Sequence, residues 1–138
     1  QVLNVNEKQY QYVHVDSNSS ALAANASGDL VGWKDKTQYL VTRDSRFWAG
    51  GRNAPAGFLR NAMTSGYYGF ILQQGDAISV KSDGNGVATD SVIAATGTSA
   101  DVGVVSAGTA VTYTKIGVAR AASSGGFISV DVDLPSAP

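Results

Sequence analysis

The stretch that most constrains this chain lies near its end. Between Ser123-Ser124-Gly125-Gly126 and Pro135 the sequence reads FISVDVDL. Ile128, Val130, Val132 and Leu134 fall on one side of an extended chain, and Ser129, Asp131 and Asp133 on the other. A period of two with one apolar and one polar side is the signature of a half-buried strand. Slipping its register by one residue would bury both aspartates, so the pairing is strongly specified. Pro135 has no N–H to give a ladder and ends the strand. Asp131 and Asp133 are also a D-x-D pair of a kind that can ligate a hard cation, but the alternation already explains them as the wet side of the strand. No metal site is expected.

Turn signals recur every 8 to 12 residues from Gly57 onward. Phe58 to Met63, Tyr67 to Gln73, Ala77 to Lys81, Ser91 to Ala95, Asp101 to Ser106, Ala110 to Arg120 and Phe127 to Leu134 read as strands. Thr64-Ser65-Gly66, Gln74-Gly75-Asp76 and Asp83-Gly84-Asn85-Gly86 read as turns, the last holding both a DG and an NG pair. Composition agrees: 16 valines against 7 leucines, and a single glutamate, disfavour long helices. The expected fold is all-β, a small antiparallel barrel or sandwich with a loop-rich N-terminal part or arm. Residues 1–27 are expected to form an extended arm or edge strand, because Tyr10, Tyr12, His14 and Asp16 alternate with Gln11, Val13 and Val15. Residues 28–138 form the β-domain. Within them Gly28 to Trp33 and Gln38 to Thr42 read as strands around a Lys34-Asp35-Lys36 turn, and a breaker-rich docking loop spans 43–57.

Several kinds of chemistry are excluded. There is no cysteine, so disulfides and thiol chemistry are absent. His14 is the only histidine, too few for a His-based metal centre, and no G-x-S-x-G elbow accompanies it. Phosphate-binding glycine motifs are missing. A net charge of −1 argues against direct nucleic-acid binding, and no apolar run approaches the roughly 20 residues of a membrane-spanning helix. Nothing in the chain calls for an enzyme or a cofactor. One polar cluster stands out: Arg43, Asp44, Arg46, Phe47, Trp48, Arg52 and Arg60 hold four of the five arginines beside two large aromatics. Arginine and tryptophan are enriched in interface hot spots, so this segment is a candidate docking site. The competing reading makes Phe47 and Trp48 core anchors. Tyr10 and Tyr12 are candidates for strand addition to a partner sheet, or for an edge strand of the chain's own barrel.

The wording of Ala56-Gly57, Gly66-Tyr67-Tyr68-Gly69-Phe70 and Gln73-Gln74-Gly75 resembles tailed-bacteriophage head decoration, or capsid cement, proteins. The Gly84 to Gly86 turn, the Ala- and Thr-rich Ala94 to Ala100, Ile116 to Ala119 and the last Val-rich strand extend the similarity over roughly residues 28–134. Arg60-Asn61 departs from the pattern. The resemblance implies binding to the outer surface of a phage head, with the major capsid protein as partner, and bracing of the shell against DNA pressure. It further implies a homotrimer located on the virion and assembled in the host cytoplasm. Two other readings compete: a tail or fibre β-module, and a carbohydrate- or surface-binding module using Tyr67, Tyr68 and Trp48 as stacking platforms.

Overall fold

A computed structural model of the chain describes residues 2–16, 30–43, 47–49, 54–60, 64, 66–81, 92–95, 105–107, 115–122, 124 and 126–137. Among these the fold is all-β: a closed five-stranded barrel with further strands bonded outside it. The strands are β1 (Val2–Val5), β2 (Lys8–Val15), β3 (Leu30–Asp35), β4 (Leu40–Thr42), β5 (Pro55–Leu59), β6 (Tyr68–Lys81), β7 (Val92–Ala95), β8 (Val105–Ala107), β9 (Lys115–Ala119) and β10 (Phe127–Asp133). The sheet order is β1-β2-β4-β3-β5-β6-β10-β9-β7-β8, and an additional β2–β6 pairing closes the barrel from β2, β4, β3, β5 and β6. Closure removes edges that would otherwise invite aggregation. It needs one parallel contact, His14↔Leu40 and Val15↔Val41, among antiparallel ones.

Of the arm or edge strand expected over 1–27, residues 2–16 are described and are paired into the sheet, with β1 at its edge. Residues 2–15 form a hairpin whose second strand, β2, is an internal stave of the barrel. Asn6 and Glu7 make its two-residue loop, both at positive φ, the backbone a twist-matched hairpin turn requires. Gln11, Val13 and Val15 point into the barrel and are buried, so their side of the alternation carries the core.

The expected turn at Gln74-Gly75-Asp76 is revised. β6 runs through it as one 14-residue strand. Register shifts flank it, between Gln9 and Tyr10 against β2 and between Val130 and Val132 against β10. Residues of turn type here make bulges instead of a reversal, because both flanking segments already have ladder partners. The first half of β6 pairs β2 and β5, and the second half pairs β10. One strand therefore belongs to the barrel and to the second sheet. β3 likewise continues through Asp35, moving the turn to 36–39, where Tyr39 takes a positive φ. β5 starts at Pro55 and ends at Leu59, so Arg60-Asn61 lie beyond it, and half-buried Arg60 donates to the Ser79 carbonyl at 3.0 Å.

Two cores follow. The barrel interior holds Val13, Val15, Val31, Trp33, Val41, Ala56, Leu59, Ile71 and Ala137. The second packs the outer side of the barrel (Leu30, Phe58, Leu72) against Ile78, Val80, Ile93, Ile116, Ile128, Val130 and Val132. β10 shows the alternation read from sequence: Ile128, Val130 and Val132 are buried, Ser129 and Asp131 half-buried. Asp131 meets Arg120 Nε at 3.0 Å on the surface. A third feature is polar. Gln11 and Gln73 are fully buried, and Gln73 Nε2 donates to Gln11 Oε1 at 2.7 Å. Gln11 donates to the Ala137 carbonyl and accepts from its amide, at 3.1 and 3.0 Å. Ser136 donates to Gln73 Oε1 at 3.0 Å. The segment after β10 is thus latched into the barrel by side-chain amides acting as a ladder.

Candidate interaction surface

Two surface features carry recognition chemistry, one on the 47–49 segment and one on the outer face of the barrel. At the first, neighbouring aromatics have opposite fates. Trp48 is buried, and its indole N–H donates to the Thr42 carbonyl at 2.8 Å. Its ring lies on Gly32, where any Cβ would overlap the indole. The Ala49 amide donates to the Trp33 carbonyl at 2.8 Å, tying the segment to β3. Phe47, one residue earlier, stands 56% exposed. Lys34 Nζ lies 5.8 Å from its ring centroid and 2.7 Å from Asp16 Oδ2. The lysine is held by a mostly buried carboxylate on one side and an aromatic face on the other, within cation–π range.

The sequence-derived docking cluster is therefore split. Trp48 is an anchor, as the competing reading had it, and is not available for contact. Arg43 is also buried, at the inner end of the segment. Pro55, Ala56 and Gly57 leave the 43–57 loop for β5, where Gly57 lets the Leu72 carbonyl approach too closely for a side chain. Arg46, Arg52 and Asp44 lie outside the described residues, as does the Asp83-Gly84-Asn85-Gly86 turn. Among the cluster's described members, Phe47 is the side chain most presented to solvent.

The second feature was only half legible. Tyr12, His14, Tyr68 and Phe70 share the outer face of β2 and β6, paired Tyr12↔Phe70 and His14↔Tyr68. Tyr68 stacks on His14 (centroids 4.3 Å, planes 11° apart) and on Tyr12 (5.7 Å, 10°), and Tyr12 meets Phe70 edge-on at 5.1 Å. His14 Nε2 lies 3.1 Å from the Gly66 carbonyl oxygen, which fixes the ring's direction. Cross-strand aromatic pairs stabilise a sheet, but these also remain exposed: 41% for Tyr12, 60% for Tyr68, 38% for Phe70. Tyr10, on the same face, is half-buried against the second core. The row is thus the part of the barrel's outer face that the second sheet leaves uncovered. Sequence reasoning named Tyr10 and Tyr12 without their partners, because the β2–β6 pairing joins residues more than fifty positions apart.

A pyranose ring packs on an open aromatic face. Of the three aromatics named as stacking platforms, Tyr68 turns its ring toward His14 and Tyr12 and Trp48 is buried, while Tyr67 stands 67% exposed. Among the described residues no group of three or more His, Cys, Asp or Glu is placed to hold a metal. At Asp35, hydrogen bonds from the Thr37 hydroxyl (2.7 Å) and amide (2.9 Å) hold the carboxyl below the usual value. That is turn chemistry. No protein-family model, no curated protein and no solved structure matches this chain.

Proposed function

We propose that this chain is a binding and bracing module, a capsid decoration protein that docks on the outer surface of a phage head through the major capsid protein. The observation that carries this reading is the Phe47–Trp48 pair. A loop pinned by a buried indole holds the adjacent phenyl ring out in water, where its apolar surface is hydrated at a cost that contact with a partner would relieve. Aromatic anchors mounted on a rigid base are the usual form of an interface hot spot, because little side-chain entropy is left to lose on docking. The closed barrel supplies the base. The sequence resemblance over roughly residues 28–134 supplies the partner.

The test uses stripped phage heads and purified protein. Phe47→Ala is expected to weaken head binding at least about tenfold, the loss typical of a hot-spot truncation, with an unchanged thermal midpoint. Unchanged binding would remove Phe47 from the interface. If labelled protein bound tails alone, at a handful of copies per particle, the module would belong to the tail or fibre.

A further inference from the structure

We infer that the outer face shared by β1, β2 and β6 packs face to face against the same face of a second copy of this chain. The register defines the face. Paired residues project to the same side of a sheet. Leu3 pairs Tyr10 and Val5 pairs Lys8, so these two of β1's three apolar residues lie on the side that carries Tyr12, His14, Tyr68 and Phe70, while Val2, paired with Gln11, lies on the other. Gln11 and Val13, between them, point the other way into the barrel. Leu3 and Val5 are 42% and 44% exposed. The aromatic row and the hairpin therefore form one apolar strip across three strands.

Its area suits a dimer. At about 200 Å² per ring, the exposed parts of Tyr12, Tyr68 and Phe70 amount to about 280 Å². Leu3 and Val5 add about 50 Å² each, on the usual area-to-energy scale for an aliphatic side chain. The sum is close to the apolar share of a standard interface, which is a little over half of about 800 Å² per partner. It lies within the roughly 300–600 Å² of the largest apolar patch on a typical monomer, a size of patch that is often functional.

The charges select the second copy over a charged partner. Among the described residues, the strand positions of the strip carry one formal charge, Lys8 at the hairpin end, with Glu7 of the loop beside it. The strip offers nothing to attract an acidic or basic surface, and its best complement is an equally uncharged aromatic face, which every copy of the chain supplies. A two-fold axis near Tyr12, with the two β2 strands antiparallel, sets each Lys8 toward the partner's His14 end. The two lysines are then separated by about 20 Å or more, at about 3.3 Å per strand residue, and do not repel across a Debye length. Hydroxyl tips of Tyr12 and Tyr68 supply hydrogen bonds at the rim of such a contact.

The experiment needs no phage head, so its result stands apart from the decoration reading. The mass of the free protein is measured by analytical ultracentrifugation up to about 100 µM, a range that captures micromolar dimers. A dimer is expected. Tyr68→Lys is expected to raise its dissociation constant about thirtyfold or more while the thermal midpoint stays close to wild type, and Phe47→Ala is expected to leave it unchanged. Because the chain has no cysteine, Tyr12→Cys introduces the sole thiol, and under mild oxidation it is expected to form a disulfide-linked dimer. A monomer throughout the concentration range would overturn the proposal. So would a trimer, the assembly that the sequence resemblance implies, or a dimer that Tyr68→Lys does not weaken and Tyr12→Cys does not cross-link.

Discussion

Replacing Gln11 by leucine tests whether the buried amides hold the barrel's end together. The substitution keeps approximate volume and removes two acceptor contacts and one donor contact. Three groups lose a partner: the Ala137 amide, the Ala137 carbonyl and one Gln73 Nε2 hydrogen, while Gln73 keeps its bond to the Ala56 carbonyl at 3.2 Å. A buried group left unpaired costs about 1–3 kcal/mol. Three such groups span about 3–9 kcal/mol, and the apolar gain of leucine with hydration of a loosened tail offsets part of that, leaving about 3–5 kcal/mol. That is a large fraction of the roughly 5–15 kcal/mol that holds a domain folded. Urea unfolding reads the change as a lowered midpoint with an unchanged slope. Hydrogen exchange at the Ala137 amide is expected to accelerate before global unfolding, since the latch opens first. In a cycle with Gln73→Leu, the pair should couple by about 0.5–3 kcal/mol. A loss below about 1 kcal/mol with unchanged exchange at Ala137 would mean that these amides are not the latch, and the reasoning would fail.

Other expectations follow from single contacts. Gly32→Ala drives a methyl group into the Trp48 indole, so it should cost at least about 2 kcal/mol by chemical denaturation, and Trp48→Ala about 3–5 kcal/mol. Phe47→Ala should stay within about 0.5 kcal/mol of wild type, and the contrast between the two neighbours separates anchor from contact. Asp35 should titrate, by NMR, below its ordinary value of 3.8. Its folded value is lowered, so its stabilising contribution is present above the unfolded value and is lost as pH falls through the folded one. Thr37→Ala should return the midpoint upward.

What could be read from the sequence was set by the range of the interactions involved. β10 needed only local alternation, and its buried and wet sides are those of FISVDVDL. The all-β barrel followed from turn spacing and β-branched content. Features that join distant segments were not legible. Nothing near residue 11 tells that Gln11 meets Ala137, although Val13 and Val15 on the same side marked that side as core. The Gln74-Gly75-Asp76 triplet has turn chemistry, yet it bulges because β2, β5 and β10 already occupy the edges of β6 on both sides of it. Trp48 and Phe47 have similar character in sequence. Gly32, sixteen residues away, accepts one ring and thereby expels the other.

That division has a consequence for how the surface arose. β6 is shared by the barrel and the second sheet, and its bulges swing the second half away from the line of the first. The second sheet then covers the outer barrel only as far as Leu72 and Tyr10. Beyond this limit, the alternation that buries Val13 must expose Tyr12 and His14, because a strand that fills a barrel with every second residue presents the others outward. Polar residues at 12, 68 and 70 would leave both cores intact, since none of the three contributes to either core. Cross-strand stacking gives these aromatics a part in folding, but it does not account for the ring area each leaves in water, and contact with another molecule is a physical reason for that.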